Sequence, residues 1–283
     1  MNRRIAVVFD FDETLSPDST SSFLESMGID AQDFWVNKVN PLYQEHGWDP
    51  IPAYLYMMIR LSESQNAQRK ITKQKFQAFG EGIKFFNGVC SIFKQLEEKA
   101  REINPKISVD FFLISSGIRD ILIKTKIAKY FKDIWACDFH YNRKGEIVFP
   151  KNIVSFTDKT RYLFHISKGL YGPGSRCRPF DVNRRIPREK MYVPFNQMII
   201  VGDGQTDVPV FSLIEKYGGV AIAVYDPADN RKWRKAWEFV EENRVKNIVP
   251  ADYGKRGALN HTLMMAIESI ASRLTVEGTA YYR

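Results

Sequence analysis

The sequence is poor in cysteine and has no long apolar run, and each shortage narrows what the protein can be. Three scattered cysteines in 283 residues fit a reducing compartment and buried thiols better than a disulfide framework. No stretch approaches the roughly 18 apolar residues that a membrane-spanning helix needs. The apolar run near the amino terminus is too short for a secretory signal and ends in an acid. We therefore expect a cytoplasmic protein with no membrane partner.

Motifs for histidine-bound metals, zinc ligands and RNA recognition are missing as well. The four histidines show no metal-ligand spacing. The formal net charge of +8 permits attraction to nucleic acid or to anionic substrates. A surface with spare lysine and arginine is the simpler interpretation. We expect no nucleic-acid partner, and a basic nucleic-acid-binding protein is the non-enzymatic alternative.

The most informative stretch is residues 5–14, which read IAVVFDFDET. Five apolar residues in a row, three of them β-branched, predict a short strand buried on both faces of a parallel sheet. The strand runs directly into Asp10 and Asp12. Ligands of open α/β sheets bind beyond the carboxyl ends of strands, and carboxylate oxygens are ligands that Mg²⁺ prefers. The stretch therefore predicts a metal site, with an acidic solvated turn as the alternative.

The remaining chain alternates between helical and strand patterns, as in an α/β protein. Residues 15–80 predict several helices, the first capped by Ser19 or Thr20, and the glycines that follow suit a hinge. The further strands are predicted over residues 107–114, 134–139, 198–201 and 220–225, with a hairpin arm over 146–149. The later helices are predicted over residues 89–99, 120–131, 210–216 and 259–274, with one starting near Lys159.

Several polar groups fall near the carboxyl end of a predicted strand or the amino end of a predicted helix. They are Asp10 with Asp12, Ser115, Lys159, and Asp203 with Asp207. Converging carboxylates, one hydroxyl and one amine suit a phosphoryl group held beside a metal ion. Asp10 can attack phosphorus, and Asp12 can protonate the leaving oxygen and then deprotonate water.

The other members of this set would support the same reaction. Ser115 can donate to the phosphoryl oxygens, and Lys159 adds positive charge where the transition state concentrates negative charge. Asp203 can hold Mg²⁺ beside the nucleophile. Asp207 lies four residues later, one helical turn, so it can face the same centre.

These residues resemble the four motifs of the haloacid dehalogenase-like (HAD) hydrolase superfamily. The motifs are DFDET at 10–14, a strand ending in Ser115, the downstream Lys159 and GDGQTD at 202–207. Their order and spacing match, and the resemblance covers residues 1–14 and about 83–226. It implies an α/β fold with a doubly wound, Rossmann-like parallel sheet. The first strand would lie at the centre, between the Ser115 strand and the Asp203 strand.

The resemblance also implies a role for each matching residue. Asp10 would be the nucleophile, and Asp12 the general acid and base that binds the metal through its backbone carbonyl. Thr14 would steady their loop. The implied phosphate-binding residues are Thr14, Ser115, Ser116, Gly117 and Lys159, and the implied Mg²⁺ ligands are Asp10, Asp12, Asp203 and Asp207.

Two domains follow from the same resemblance. Residues 1–15 and 83–283 would form the α/β core, including a basic loop at 171–195 and a carboxyl-terminal helical extension at 227–283. Residues 16–82 would form a helical cap of the first type, which closes over the substrate and excludes water.

The predicted substrate is a small phosphomonoester. A carboxylate at Asp12 favours phosphate-ester hydrolysis over halide release, because an alkoxide leaving group needs a proton. The chain looks similar to phosphoserine phosphatases, which place a substrate-sensing Glu nine residues after the nucleophile. This chain has Ser19 there, with Asp18 adjacent in a different register, which argues against phosphoserine. A phosphotransferase that uses the same residues is the enzymatic alternative.

The basic loop at 171–195 is expected at the end of the sheet opposite the site. The helix that starts near Lys159 carries the chain roughly 15 Å away over about ten residues. A solvated loop, or a contact for an acidic partner or a second subunit in a homodimer, is therefore expected there. Trp233 and Trp237 lie four residues apart and predict the core face of one helix.

Overall fold

The computed structural model describes residues 3–66, 69–204, 206–228, 237, 241, 245 and 248–280. Its strands are β1 (Arg4–Phe9), β2 (Ser108–Ile118), β3 (Phe131–Tyr141), β4 (Ile147–Asn152), β5 (Met198–Gly202), β6 (Val220–Tyr225) and β7 (Ile248–Pro250). They form one sheet in the order β4-β3-β2-β1-β5-β6-β7. All neighbouring pairs are parallel except the β3–β4 hairpin.

The helices fall between the strands and after them. They are α1 (Ser19–Ser26), α2 (Ala31–Asp33), α3 (Asn40–Gln44), α4 (Pro50–Ser64), α5 (Lys73–Glu81), α6 (Val89–Ile103), α7 (Arg119–Leu122), α8 (Phe156–Lys168), α9 (Pro173–Arg176), α10 (Val208–Lys216) and α11 (Ala258–Ala280). A π-helical stretch at Phe34–Val39 joins α2 to α3, and short 3₁₀ turns precede β3 and β5.

Strand β1 is the central strand, as its unbroken apolar sequence predicts. It pairs with β2 on one side and β5 on the other, with Phe9 opposite both Leu113 and Val201. Residues 5–9 are almost fully buried, so both faces of the strand are covered. The predicted α/β class and the predicted strand order around β1 are confirmed.

Helices cover both faces of the sheet. Neighbouring residues of a strand point to opposite faces, and this holds for Phe111 and Phe112. Phe93 of α6 packs edge-on against Phe111, with ring centroids 5.1 Å apart. Trp135 stacks on Phe112 at 5.8 Å, and Tyr162 of α8 stacks on Trp135 at 5.1 Å. The sheet is therefore doubly wound, as predicted.

The helical segment after β1 is confirmed, but the start of its first helix was assigned wrongly. Asp18, and not Ser19 or Thr20, caps α1, because its carboxylate accepts the Thr20 and Ser21 backbone N–H groups. A carboxylate suits this position because it accepts orphan N–H groups at the positive end of the helix dipole. Asp18 is thereby fixed beside the loop that carries Asp12.

Gly80 and Gly88, two of the glycines predicted to suit a hinge, both lie against the backbone of other elements, and the hinge itself stays a prediction. A Cβ atom on Gly80 would lie 2.2 Å from the carbonyl oxygen of Ile121. Gly88 has a φ of 78°, and a Cβ there would lie 2.3 Å from the Tyr253 backbone. Both glycines allow close packing of the helical segment and the carboxyl-terminal region on the core.

Two other predictions need correction. The helix predicted over residues 120–131 is only the single turn α7, because the chain then turns through a short 3₁₀ helix at Ala128–Tyr130 and enters β3 at Phe131. The thiols were expected to be buried, yet only Cys137 is, while Cys90 and Cys177 are exposed. Strand β7 is too short, at three residues, for its pattern to have indicated it.

The basic loop lies near the amino-terminal ends of the strands, away from Asp10. Arg176 forms an ion pair with Asp133 near the start of β3, and Tyr192 donates to Asp110 near the start of β2.

Trp237 is 40% exposed, which does not fit the predicted core face, and Trp233 lies outside the described residues. In the part of the chain that the structure describes, no helix is long and apolar enough to cross a bilayer.

Candidate active site

The loop after β1 presents two carboxylates in different directions. Asp10 accepts the Phe11 N–H at 2.7 Å, and its own N–H donates to the Val201 carbonyl of β5. Asp12 accepts the Ser19 N–H at 2.7 Å, which ties it to the start of α1. Glu13, which lies between Asp12 and α1, adopts a φ of 58°, a strained value for a residue with a side chain. The turn is therefore held tightly at the sheet edge.

Lys159 connects two of the predicted acids. Its Nζ donates to Asp10 Oδ2 and to Asp207 Oδ1, both at 2.8 Å, and to Thr206 Oγ1 at 2.9 Å. The side chain is 1% exposed. Burial alone would lower the pKa of Lys159, but the charges of Asp10 and Asp207 outweigh it and raise that pKa. Lys159 is therefore a fixed cation beneath the predicted nucleophile.

Three acids lie close enough together to share one metal ion. Carboxylate oxygens of Asp10, Asp203 and Asp207 lie within 4.8 Å of one another. Burial, followed by repulsion from Asp10 and Asp207, raises the pKa of Asp203 well above its usual range. Burial raises the pKa of Asp207 to about 7 despite Lys159. The second oxygen of Asp207 is buried and has no hydrogen-bond partner among the described residues.

This donor set fits Mg²⁺. The ion binds oxygen ligands, usually one or two carboxylates together with water and substrate phosphate. A divalent charge among these acids would offset the repulsion that raises their pKa values and would give the orphan Asp207 oxygen a partner. Asp12 lies outside the cluster of side-chain oxygens, so its side chain is free for another role.

The carboxyl end of β2 reaches Asp12 through a glycine. A Cβ on Gly117 would lie 2.5 Å from Asp12 Oδ2, so a side chain at this position would displace the Asp12 carboxylate. Burial and the nearby charge of Asp18 raise the pKa of Asp12 to about 8. A carboxyl group with that pKa carries a proton in much of the population at neutral pH, as a general acid requires.

The predicted phosphate-binding residues do not all lie at the same place. Ser115 lines the cavity, and its Oγ accepts the Gly117 N–H at 2.9 Å. Ser116 also lines it, with a buried hydroxyl that has no partner in the described part of the chain. Thr14 is fully buried, is absent from the described lining and supports the loop through its carbonyl, which accepts the Tyr253 hydroxyl at 2.9 Å.

The acids open into a cavity of about 370 Å³ between the sheet edge and the helical segment. The sheet side contributes Asp10, Asp12, Glu13, Ser115, Ser116, Gly117, Asp203 and Thr206. The other side comes from the helical segment and contributes Asp18, Thr20, Trp35, Val39, Asn40, Tyr43, Pro50, Ile51 and Tyr54. A separate cavity of about 420 Å³ lies along β3 and contains none of the predicted site residues.

Several of these residues were not singled out by sequence reasoning. Thr206 lies inside the GDGQTD motif, so its position beside Lys159 was available from the spacing. Trp35 and Tyr54 belong to a set of aromatics that pattern alone cannot divide between core and cavity. Tyr253 reaches the site across 239 residues of sequence, a separation that no local pattern reveals.

Comparison with known proteins gives one relative by sequence and many by structure. No family model matches the chain. An uncharacterized protein of Borreliella burgdorferi is 29% identical over 297 residues, which cover 94% of this chain and 99% of that protein.

Two solved structures illustrate the structural likeness. A HAD family hydrolase from Salmonella enterica serovar Typhi has a TM-score of 0.60 at 13% identity, covering 93% of this chain and 70% of that chain. A phosphoserine phosphatase, solved as an analogue of its phospho-aspartyl intermediate, has a TM-score of 0.54 at 13% identity, covering 92% of this chain and 98% of that chain. The chain thus has the fold of the HAD hydrolases, which confirms the resemblance predicted from the four motifs at the level of the fold.

Proposed function

We propose that this protein is a Mg²⁺-dependent phosphatase that hydrolyses a small phosphomonoester through an aspartyl phosphate on Asp10. The observation that carries the proposal is the placement of Lys159, 2.8 Å from both Asp10 and Asp207, beside a cluster of acids that borders a cavity. A nucleophile, a fixed cation and a metal-binding acid cluster at one point suit phosphoryl transfer.

The first half of the reaction uses the two acids of the nucleophile loop. An oxygen of Asp10 attacks phosphorus, and the bond from phosphorus to the ester oxygen breaks. Asp12 gives its proton to the departing oxygen, so the alcohol leaves neutral. The hydroxyl groups of Ser115 and Ser116 donate to the phosphoryl oxygens, and Lys159 stabilises the negative charge near Asp10.

The second half restores the acids. Asp12, now ionised, takes a proton from water, and the water oxygen attacks phosphorus to release phosphate and free Asp10. Mg²⁺, when bound by Asp10, Asp203, Asp207 and the Asp12 backbone carbonyl, supplies positive charge that draws the phosphoryl oxygens into place.

We also propose that residues 16–82 act as the cap and that residues 1–15 and 83–283 are the core. The cavity wall opposite the acids comes from this segment, which supports a role in enclosing the substrate. Tyr54 donates to the Ser116 carbonyl at 2.5 Å, so the closed arrangement has a direct contact across the cavity. The exposed thiols Cys90 and Cys177 suit a reducing cytoplasm.

The proposal is tested by phosphate release from p-nitrophenyl phosphate and a panel of metabolite phosphomonoesters. We expect release with Mg²⁺, loss of release with excess EDTA, and recovery when Mg²⁺ is restored. Asp10→Asn should lower kcat at least 10³-fold, because the amide removes the nucleophile. Asp30→Asn is the matched control, since Asp30 is an exposed cap of α2 and asparagine caps equally well. Equal rates for Asp10→Asn and the wild type would overturn the nucleophile assignment.

A further inference from the structure

The charged side chains that line the cavity in the described part of the chain are all acidic. Five carboxylate residues line the cavity, and none of the lining residues that the structure describes is lysine, arginine or histidine. Lys159 lies beneath the acids with its ammonium group already bound to Asp10 and Asp207. Any negative charge on the substrate other than its phosphate would therefore meet carboxylates and no cation.

The proposed phosphoryl transfer uses neither Glu13 nor Asp18, and of these two only Asp18 lies on the helical side of the cavity. Its Oδ1 accepts the Thr20 and Ser21 N–H groups, and its Oδ2 accepts the Ser21 hydroxyl at 2.5 Å. No ion-pair partner lies within 4 Å of it among the described residues. The group is held rigidly on the cavity wall, on the helix that also binds Asp12, where the leaving alcohol departs.

An aromatic wall adjoins Asp18. The Trp35 indole N–H donates to Ser21 Oγ at 2.7 Å, the same hydroxyl that donates to Asp18. The Trp35 and Tyr54 rings are 5.7 Å apart and inclined by 53°, and Tyr43 completes this side of the cavity. A fixed carboxylate beside inclined aromatic faces is an environment that attracts a cation, above all an alkylammonium group.

We infer that the substrate is the phosphate monoester of an amino alcohol, with a primary or quaternary ammonium group on the leaving alcohol. The inference rests on the proposed function. The ammonium group would lie against Trp35 and near Asp18 while the phosphate reaches Asp10. The ester bond to phosphorus breaks, the alcohol leaves with the proton from Asp12, and its positive charge is unchanged. A substrate with a carboxylate, such as phosphoserine, would leave that carboxylate without a basic partner.

The test compares substrates that differ in the charge of the leaving alcohol. Phosphocholine and phosphoethanolamine carry a cation, glycerol 3-phosphate carries none, and phosphoserine adds a carboxylate. With Mg²⁺ and the full chain, we expect kcat/KM for one of the cationic substrates to exceed that for glycerol 3-phosphate at least tenfold. Phosphoserine should fall below phosphoethanolamine by a similar factor. Equal values across the panel, or a preference for phosphoserine, would overturn the inference.

Variants assign the preference to the cavity wall. Asp18→Asn keeps the helix cap and removes the charge, so the ratio of kcat/KM between phosphocholine and glycerol 3-phosphate should fall about tenfold. Trp35→Leu should lower the same ratio through loss of the aromatic face. Asp30→Asn and Trp48→Leu are the controls, since Asp30 and Trp48 lie outside the described lining, and they should leave the ratio unchanged. An unchanged ratio in both Asp18→Asn and Trp35→Leu would contradict the assignment.

Binding separates this inference from the proposed function. Choline should quench the tryptophan fluorescence of the protein and do so more weakly in Asp18→Asn, whereas glycerol should not quench it. If no compound releases phosphate, the proposed function and the substrate assignment are both wrong, and choline binding that weakens in Asp18→Asn would show only a site for an ammonium group. Activity on neutral substrates without choline binding would leave the phosphatase intact and overturn the amino-alcohol assignment.

Discussion

Lys159 is the side chain on which the proposed chemistry most depends. A buried ammonium group is stable only when carboxylates surround it, and Asp10 and Asp207 do so at 2.8 Å. The same ion pairs hold Asp10 at a fixed place and orientation at the end of β1. One residue therefore contributes both to the free energy of folding and to the geometry of the proposed nucleophile.

Removing that cation should damage activity and stability together. Lys159→Met is expected to lower kcat by 10²–10³-fold, since the charge near the transition state is lost. It should also lower the free energy of unfolding by about 3 kcal/mol, because buried acids lose their partner. Lys151→Met is the control, since Lys151 pairs with Asp138 on the surface and should change stability by less than about 1 kcal/mol. Urea unfolding and phosphate release measure both effects, and a fully active Lys159→Met would contradict them.

Close backbone approach joins the elements around the nucleophile loop. Gly88 starts α6 in a left-handed conformation and lies against the backbone of residues 253–254. Asn87 donates from its side chain to Asp252 at 2.8 Å, and its carbonyl accepts the Tyr253 N–H. The entry to α6 and the chain before α11 are thus one packed unit.

Gly88→Ala tests whether contact with the Tyr253 backbone costs stability beyond the backbone strain that alanine causes at a positive φ. The variant should lose roughly 2–4 kcal/mol, because the methyl group meets the backbone near Tyr253 in addition to the unfavourable φ. Gly218→Ala is matched, with a φ of 76° and nothing within 4 Å of the added atom, and should lose only about 1 kcal/mol. Equal losses, measured by thermal or urea unfolding, would show that contact with residues 253–254 costs nothing.

Much of this element-level arrangement was predictable from the sequence. Residues 5–14 identified the central strand because a buried parallel strand shows an unbroken apolar run, and the motifs located Asp10, Ser115, Lys159 and Asp203 on the right elements. Helix starts were less certain, since Asp18, Ser19 and Thr20 are all good caps and only tertiary contacts choose between them.

The parts that could not be predicted depend on contacts distant in sequence. Nothing local shows that Gly88 lies against Tyr253, so this close approach could not be predicted. Nor does a pattern separate Trp35 and Tyr54, which line the cavity, from Phe34, which is buried in the core. The charge of a cavity wall emerges only when residues from several elements are placed together.

When no metal is bound, the clustered aspartates at the centre of the protein repel one another. The raised pKa values of Asp12 and Asp207, about 8 and about 7 against an ordinary 3.8, mean that the folded state holds protons that the unfolded state releases. The stabilisation that the folded state gains by holding these protons is therefore fully present below about pH 4 and is lost as the pH rises toward 8. A bound divalent cation would reverse this loss.

The melting temperature should show this linkage directly. We expect millimolar Mg²⁺ to raise it by several degrees at pH 8 and by much less at pH 5, where the acids hold protons that compete with the ion. Asp203→Asn should raise the melting temperature of the metal-free protein at pH 8 and abolish most of the Mg²⁺ effect. An equal Mg²⁺ effect at both pH values, in wild type, would contradict a site built from these acids.

The contribution of the hydrogen bond from Tyr253 to the Thr14 carbonyl should be measurable as a change in the free energy of unfolding, by urea or thermal unfolding. Tyr253→Phe leaves that buried carbonyl unsatisfied and should cost about 1–3 kcal/mol. Tyr56→Phe is the control, because Tyr56 is 40% exposed and should change stability by less than about 0.5 kcal/mol. A smaller loss for Tyr253→Phe than for Tyr56→Phe would show that the contact does not steady the loop.

That same hydrogen bond has a bearing on biosynthesis. The turn that carries Asp10 and Asp12 is translated well before the hydroxyl that anchors it, which comes 239 positions after Thr14. A nascent chain that stops before Tyr253 lacks the donor for the Thr14 carbonyl and the backbone that packs on Gly88, so the turn gains this anchor only once residue 253 has been made.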